Sequence, residues 1–159
     1  MRIELIEALA ETLEGIAVGT AEASPDRPAT EASILLFHPR EAAATESRLR
    51  EVPLLELNLF EHGERFSVIL QSALGMIEMH DVDEIRLLEL TNEAAFFSRN
   101  GSKLSLLTLS SHGVIQSYTN IEAALAERDL AEMEENELRA GVALKMFMEN
   151  AQIFSLQSA

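Results

Sequence analysis

The sequence predicts an α+β domain in which an antiparallel sheet of about five strands packs against three α-helices, in the order α-β-β-β-α-β-β-α. Three observations carry this. Apolar residues recur at helical spacing near both ends of the chain, and they alternate with polar residues on either side of a Gly-containing turn at its centre. The third is composition: 159 residues, 47% hydrophobic and 25% charged, suit one folded domain with its own core, taken as spanning residues 1–159.

The first element is an amphipathic helix over about residues 2–14. Ile6, Leu9, Leu13 and Ile16 form its apolar stripe, and Glu4, Glu7, Glu11 and Glu14 its solvated one. Gly15 is placed to end it in a left-handed conformation. Pro25 and Pro28 mark residues 20–30 as a loop, and Ile34-Leu35-Leu36-Phe37 reads as a strand near a sheet edge, halted by Pro39. Residues 41–50 are alanine-rich and charged, and read equally as a short helix or a connection. Next, Leu55, Leu57 and Leu59 alternate with Glu56 and Asn58, and Phe66, Val68 and Leu70 follow across a turn at Gly63, making a hairpin. Leu54, Phe60 and Ile69 interrupt the alternation, so the supposedly polar face needs a cover.

A second helix is expected over about residues 82–98, started by Asp81 as cap with Glu84 three residues on. Ile85, Leu88, Asn92 and Ala95 lie along one face, and Leu87, Leu90, Ala94 and Phe97 extend the apolar surface to a second side, which suits a subunit interface. A competing reading, ranked second, pairs residues 95–99 with 102–108 as strands across the Asn100-Gly101 turn. Residues 103–109 and 114–118 read as a further hairpin, and a final helical region runs from a Thr119 or Asn120 cap to about Asn150, with a break near Arg128 and Asp129. There Leu138, Val142 and Met146 recur every fourth residue. No internal repeat is expected.

Charge narrows the function. Twelve Lys and Arg against 27 Asp and Glu leave a net charge of −15, which opposes binding to nucleic-acid phosphates. No apolar stretch is long enough to span a membrane and the first residues lack a signal-peptide core, so the expected compartment is the cytoplasm. The chain has no cysteine, and it lacks the glycine-rich phosphate loops and the nucleophile elbow. His38, His62, His80 and His112 fall in turns or element ends without metal-ligand spacing. His80, Asp81, Asp83 and Glu84 are the tightest cluster of ligand types, and a helix start accounts for its acids. Neither catalysis nor a cofactor nor a metal is expected. The expected activity is binding of another protein, with an acidic inhibitor, an immunity protein or a nucleic-acid mimic as the alternative.

The segment from Leu87 to Gly101, continued by Lys103-Leu104-Ser105-Leu106-Leu107-Thr108-Leu109 and the final helix, resembles class I type III secretion chaperones and the YbjN-like proteins. That resemblance implies a homodimer joined through Leu87, Leu90, Ala94 and Phe97. It also implies a client, an extended N-terminal segment of a secreted effector, held on Leu54, Phe60 and Ile69 together with Leu9 and Leu13. A YbjN-like regulatory binding protein is the neighbouring possibility.

Overall fold

The computed structural model describes residues 3–18, 32–37, 53–62 and 65–155. The expected loop over residues 20–30, the stretch 41–50, the turn at Gly63 and the position of His38 lie outside them. The described chain is mostly sheet. Two α-helices, α1 (Ile3–Thr12) and α2 (Glu135–Asn150), accompany ten strands in two antiparallel sheets, which overturns the expected single sheet with three helices. The first sheet has the order β1 (Ile16–Val18), β2 (Ala32–Leu36), β3 (Leu55–His62), β4 (Arg65–Ser72), β5 (Gly75–Val82). In the second, β10 (Gln152–Ser155) flanks β6 (Glu84–Leu88), followed by β7 (Glu93–Asn100), β8 (Lys103–Ser110) and β9 (Ile115–Glu122).

The first helix ends as a Schellman motif: the Gly15 N–H donates to the Ala10 carbonyl at 2.8 Å and the Glu14 N–H to that of Glu11 at 3.2 Å. The left-handed residue is Glu14 (φ 54°), not the expected Gly15. Glycine is needed at 15 for a different reason. A Cβ there would lie 2.9 Å from the Leu35 carbonyl oxygen and 2.7 Å from Ile34 Cγ2, so the chain could not pass this close to β2.

The expected second helix does not form. Residues 82–98 run from the end of β5 through β6 and a short 3-10 turn (Glu89–Thr91) into β7. The turn closes on Asn92 (φ 52°), a left-handed position that asparagine tolerates. The apolar run that mimicked a two-sided helix belongs to strands buried on both faces, which read as nearly continuous hydrophobic sequence. Ile85, Leu87, Ala94 and Phe96 face the first sheet, where they share one core with Leu57, Leu59, Phe66, Val68 and Leu70 and with Leu5, Leu9 and Leu13 of α1. Leu88, Ala95, Phe97, Leu104 and Leu106 face the other way and form a second core with Ala140, Leu144 and Phe147 of α2. The competing hairpin across Asn100-Gly101 is the one realised, with Phe97 opposite Leu106 and Asn100 opposite Lys103. The expected capping box dissolves with the helix: Asp81 takes a left-handed conformation (φ 59°) near the end of β5, the Glu84 carboxylate accepts from Arg86 at 2.9 Å, and between them the Asp83 carboxylate accepts from the Arg99 N–H at 2.6 Å and pairs with Arg65 at 3.2 Å. At the far end β9 runs through Thr119 and Asn120, so neither caps a helix. Two 3-10 turns (Ala123–Glu127 and Leu130–Glu132) follow before α2, and the break expected near Arg128 and Asp129 falls between them.

The two sheets share one arrangement of strands. Within it, β3-β4-β5 and β7-β8-β9 are matching meanders whose last pairs carry a register shift at the same place, between Phe66 and Val68 and between Leu104 and Leu106. Each shift is accompanied by one left-handed residue, Asp81 (φ 59°) or Asn120 (φ 54°). A helix and a short edge strand complete each meander. They precede the first as α1 and β1, and follow the second as α2 and β10.

Candidate docking groove

Among the described residues each sheet has one short edge strand, β1 or β10, and one eight-residue edge strand, β5 or β9. An unpaired strand edge offers backbone donors and acceptors to another chain. Beside β9 the apolar face of sheet 2 continues under α2, and the helix does not cover it completely. Two clefts result, one on either side of Tyr118. The first, of about 430 Å³, is walled by Gln116 and Thr108 on the sheet and by Leu138, Val142 and Met146 on the helix. The second, of about 520 Å³, runs from Tyr118 along Asn120 and Glu122 to Arg128, Glu137 and Ala140.

The walls are held by specific contacts. Arg86, 6% exposed on β6, donates to Glu84 through Nε at 3.0 Å and Nη2 at 2.9 Å, and stacks 5.3 Å above the Phe97 ring. Its Nη1 donates to the Phe147 carbonyl at 3.2 Å. That carbonyl is one of the last four of α2, which have no partner within the helix, so a buried cation sits where the negative end of the helix dipole needs it. At the opposite end Arg128 Nη1 pairs with Glu137 at 2.9 Å, and Lys145 Nζ donates to the Ala126 carbonyl at 2.8 Å, fixing α2 to the preceding 3-10 turn. Tyr118 donates its hydroxyl proton to Gln116 Oε1 at 3.1 Å and stays half-buried between the clefts. Leu138 and Val142 are left 38% and 39% exposed along the groove.

The residues expected to bind a partner lie elsewhere. Leu9 and Leu13 are fully enclosed in the core between the sheets. Phe60 and Ile69 are on the outer face of sheet 1, as their alternation implied, yet only 4% and 8% exposed. Leu54 is half-buried at the end of that sheet against Gly113. The four residues expected to join two subunits share no face: Leu87 and Ala94 point toward sheet 1, Phe97 toward α2, and Leu90 stands 89% exposed in the 3-10 turn. The possible ligand cluster also separates. The His80 ring is hydrogen-bonded to Ser67 at 3.0 Å and faces Glu78, whereas Asp83 faces Arg65. Among the described residues no group of three or more His, Asp or Glu is arranged to hold a metal ion, and no helix is long and apolar enough to cross a membrane.

Sequence reasoning passed over Tyr118 as a binding residue and gave Leu138, Val142 and Met146 only as a four-residue recurrence on the final helix. The available clue was their four-residue recurrence on a helix whose remaining apolar residues, Leu144, Phe147 and Ala140, already complete a buried face. A comparison with protein-family models finds no match for this chain, and searches of curated proteins and of solved structures find none either.

Proposed function

We propose that the chain is a non-catalytic protein-binding module, and that it takes an extended segment of another protein as an added strand on β9, beside α2. One observation carries the reading: an open eight-residue edge strand is flanked by a helix, with two clefts in line along it. Strand addition supplies affinity through backbone hydrogen bonds, and alternate side chains of the ligand enter the clefts and set specificity. Glu132, Glu134 and Glu135 are exposed at the start of α2, and the chain carries a net charge of −15, so the favoured segment is basic between its apolar positions. This keeps the protein-binding reading. The dimer helix on which the resemblance to secretion chaperones drew is replaced by strands, so a secreted client stands only as one special case of such a segment.

The test is selection of peptides from a random extended library on the full chain, followed by hydrogen exchange. Selected peptides are expected to be basic and apolar, to protect β9 amides, and to lose about tenfold or more in affinity on Val142→Lys or Tyr118→Ala. Peptides that bind both variants as well as the parent, and leave β9 amides unprotected, would overturn it.

A further inference from the structure

We propose that the second cleft is a cation pocket occupied by the chain's own Arg128, and that an arginine or lysine of the bound segment displaces Arg128 from Glu137. The proposal rests on strand addition at β9, and adds the residue that sets its specificity and a built-in contact that restrains it. The two clefts differ in charge. The first is lined by one carboxylate and one guanidinium, Glu93 and Arg139, and carries no net charge; the second is lined by two carboxylates, Glu122 and Glu137, and the single guanidinium of Arg128. That guanidinium already shows what the second cleft holds: its Nη1 donates to Glu137 at 2.9 Å and its Nη2 to the Glu132 carbonyl at 3.5 Å. The Arg128 and Glu137 side chains are 45% and 34% exposed, and ion pairs so open to water are held loosely. Nor is Arg128 needed to keep α2 in place. Lys145 donates to the Ala126 carbonyl at 2.8 Å and Leu125 is buried in the second core, so the neighbouring turn stays fastened when Arg128 leaves.

Backbone geometry places the competing cation. The Ser110 N–H donates to the Val114 carbonyl at 3.0 Å, so hydrogen-bonded pairs between β8 and β9 recur at Gln116 and Tyr118. Ile115 and Ser117 therefore turn their N–H and C=O groups to the open edge. In an added antiparallel strand, residues opposite Ile115 and Ser117 project away from α2, and those opposite Gln116 and Tyr118 project toward it. The residue opposite Gln116 meets the first cleft, with Leu138, Val142 and Met146 on its helix wall, and the residue opposite Tyr118 meets the second. An antiparallel ligand passes Tyr118 before Gln116, so the recognised pattern is a basic residue followed two positions later by an apolar one. Its cation arrives already tethered by backbone bonds, and competes with Arg128 at high effective concentration.

The probes are short, end-blocked, threonine-rich peptides with a leucine and, two residues before it, either arginine or norleucine, titrated against the full chain. The arginine peptide is expected to bind the parent more tightly than the norleucine peptide, by a margin that shrinks as salt rises. Arg128→Ala, and Arg128→Gln which keeps the bulk without the charge, should raise affinity for the arginine peptide about two- to fivefold and leave the norleucine peptide unchanged. Glu137→Gln should erase the difference between the peptides. Arg65→Gln makes the same change of net charge on sheet 1, and should leave both affinities as they were. Arg128 variants that bind the arginine peptide no better than the parent, or an equal gain from Arg65→Gln, would overturn the proposal. Equal binding of both peptides with β9 amides protected from exchange overturns the cation pocket alone; no binding of either overturns strand addition with it.

Discussion

The meanders β3-β4-β5 and β7-β8-β9 share strand lengths, bulge position and a left-handed Asx residue, yet they meet opposite fates. The apolar face of the first, with α1 against it, is closed by the back of the second sheet, so Phe66, Val68, Phe96 and Leu107 lie in one core. The equivalent face of the second is covered by α2 and by Leu125 and Ala126 of the 3-10 turn before it, and its margin beside β9 stays open. The apolar face of the first meander is thus closed by the second sheet, while that of the second is left partly uncovered. The proposed docking groove lies along that uncovered margin.

Removing one large side chain from each core tests this division most severely. Phe96→Ala and Phe147→Ala both empty fully enclosed sites and should each cost about 3–5 kcal/mol. Their hydrogen-exchange patterns should differ. Phe96→Ala is expected to lower protection in both sheets, because its core joins them, whereas Phe147→Ala should expose α2 and leave β3 and β4 protected. Equal loss of protection everywhere in both variants would break the comparison.

Next in size is the buried clamp, which has no counterpart on α1 among the described residues. Arg86→Ala leaves Glu84 and the end of α2 without their cation and should cost about 3 kcal/mol. Removing Glu84 as well should recover part of that loss, since the remaining buried charge is then gone; chemical denaturation of the two single variants and the double variant measures the coupling. The smallest effect concerns the matched bulges. Asp81→Ala and Asn120→Ala each place alanine at positive φ and should cost about 1 kcal/mol, alike within error if the two bulges are equivalent. A large difference between them would mean that one bulge carries a further contact.

Legibility in the sequence followed how many faces of an element are buried. The helix α1, the β3–β4 hairpin and the β8–β9 hairpin have a periodicity or a turn residue that marks them, and these were sufficient, whereas the stripe read on the last helix, Leu138, Val142 and Met146, is its groove side. Residues 82–98 are covered from both sides, so apolar positions fill both phases of a strand, and the same residues fit a helix with two apolar sides. Local chemistry held the answer in Asn92 and Asn100-Gly101, but turn preference alone did not outrank the apolar pattern.

What the residues determined locally was the set of segments able to form hairpins and amphipathic helices, together with an acidic chain lacking the residues of familiar catalytic motifs. Which apolar residues are spent on the core, and which remain at the surface, was decided only by tertiary structure. Phe60 and Ile69 looked available and are buried; Val142, legible only as part of a helical recurrence, lines a groove. Burial depends on what packs across from a side chain, and β9 and α2 are separated by more than a helical turn of sequence, so their groove exists only once both lie on the same sheet.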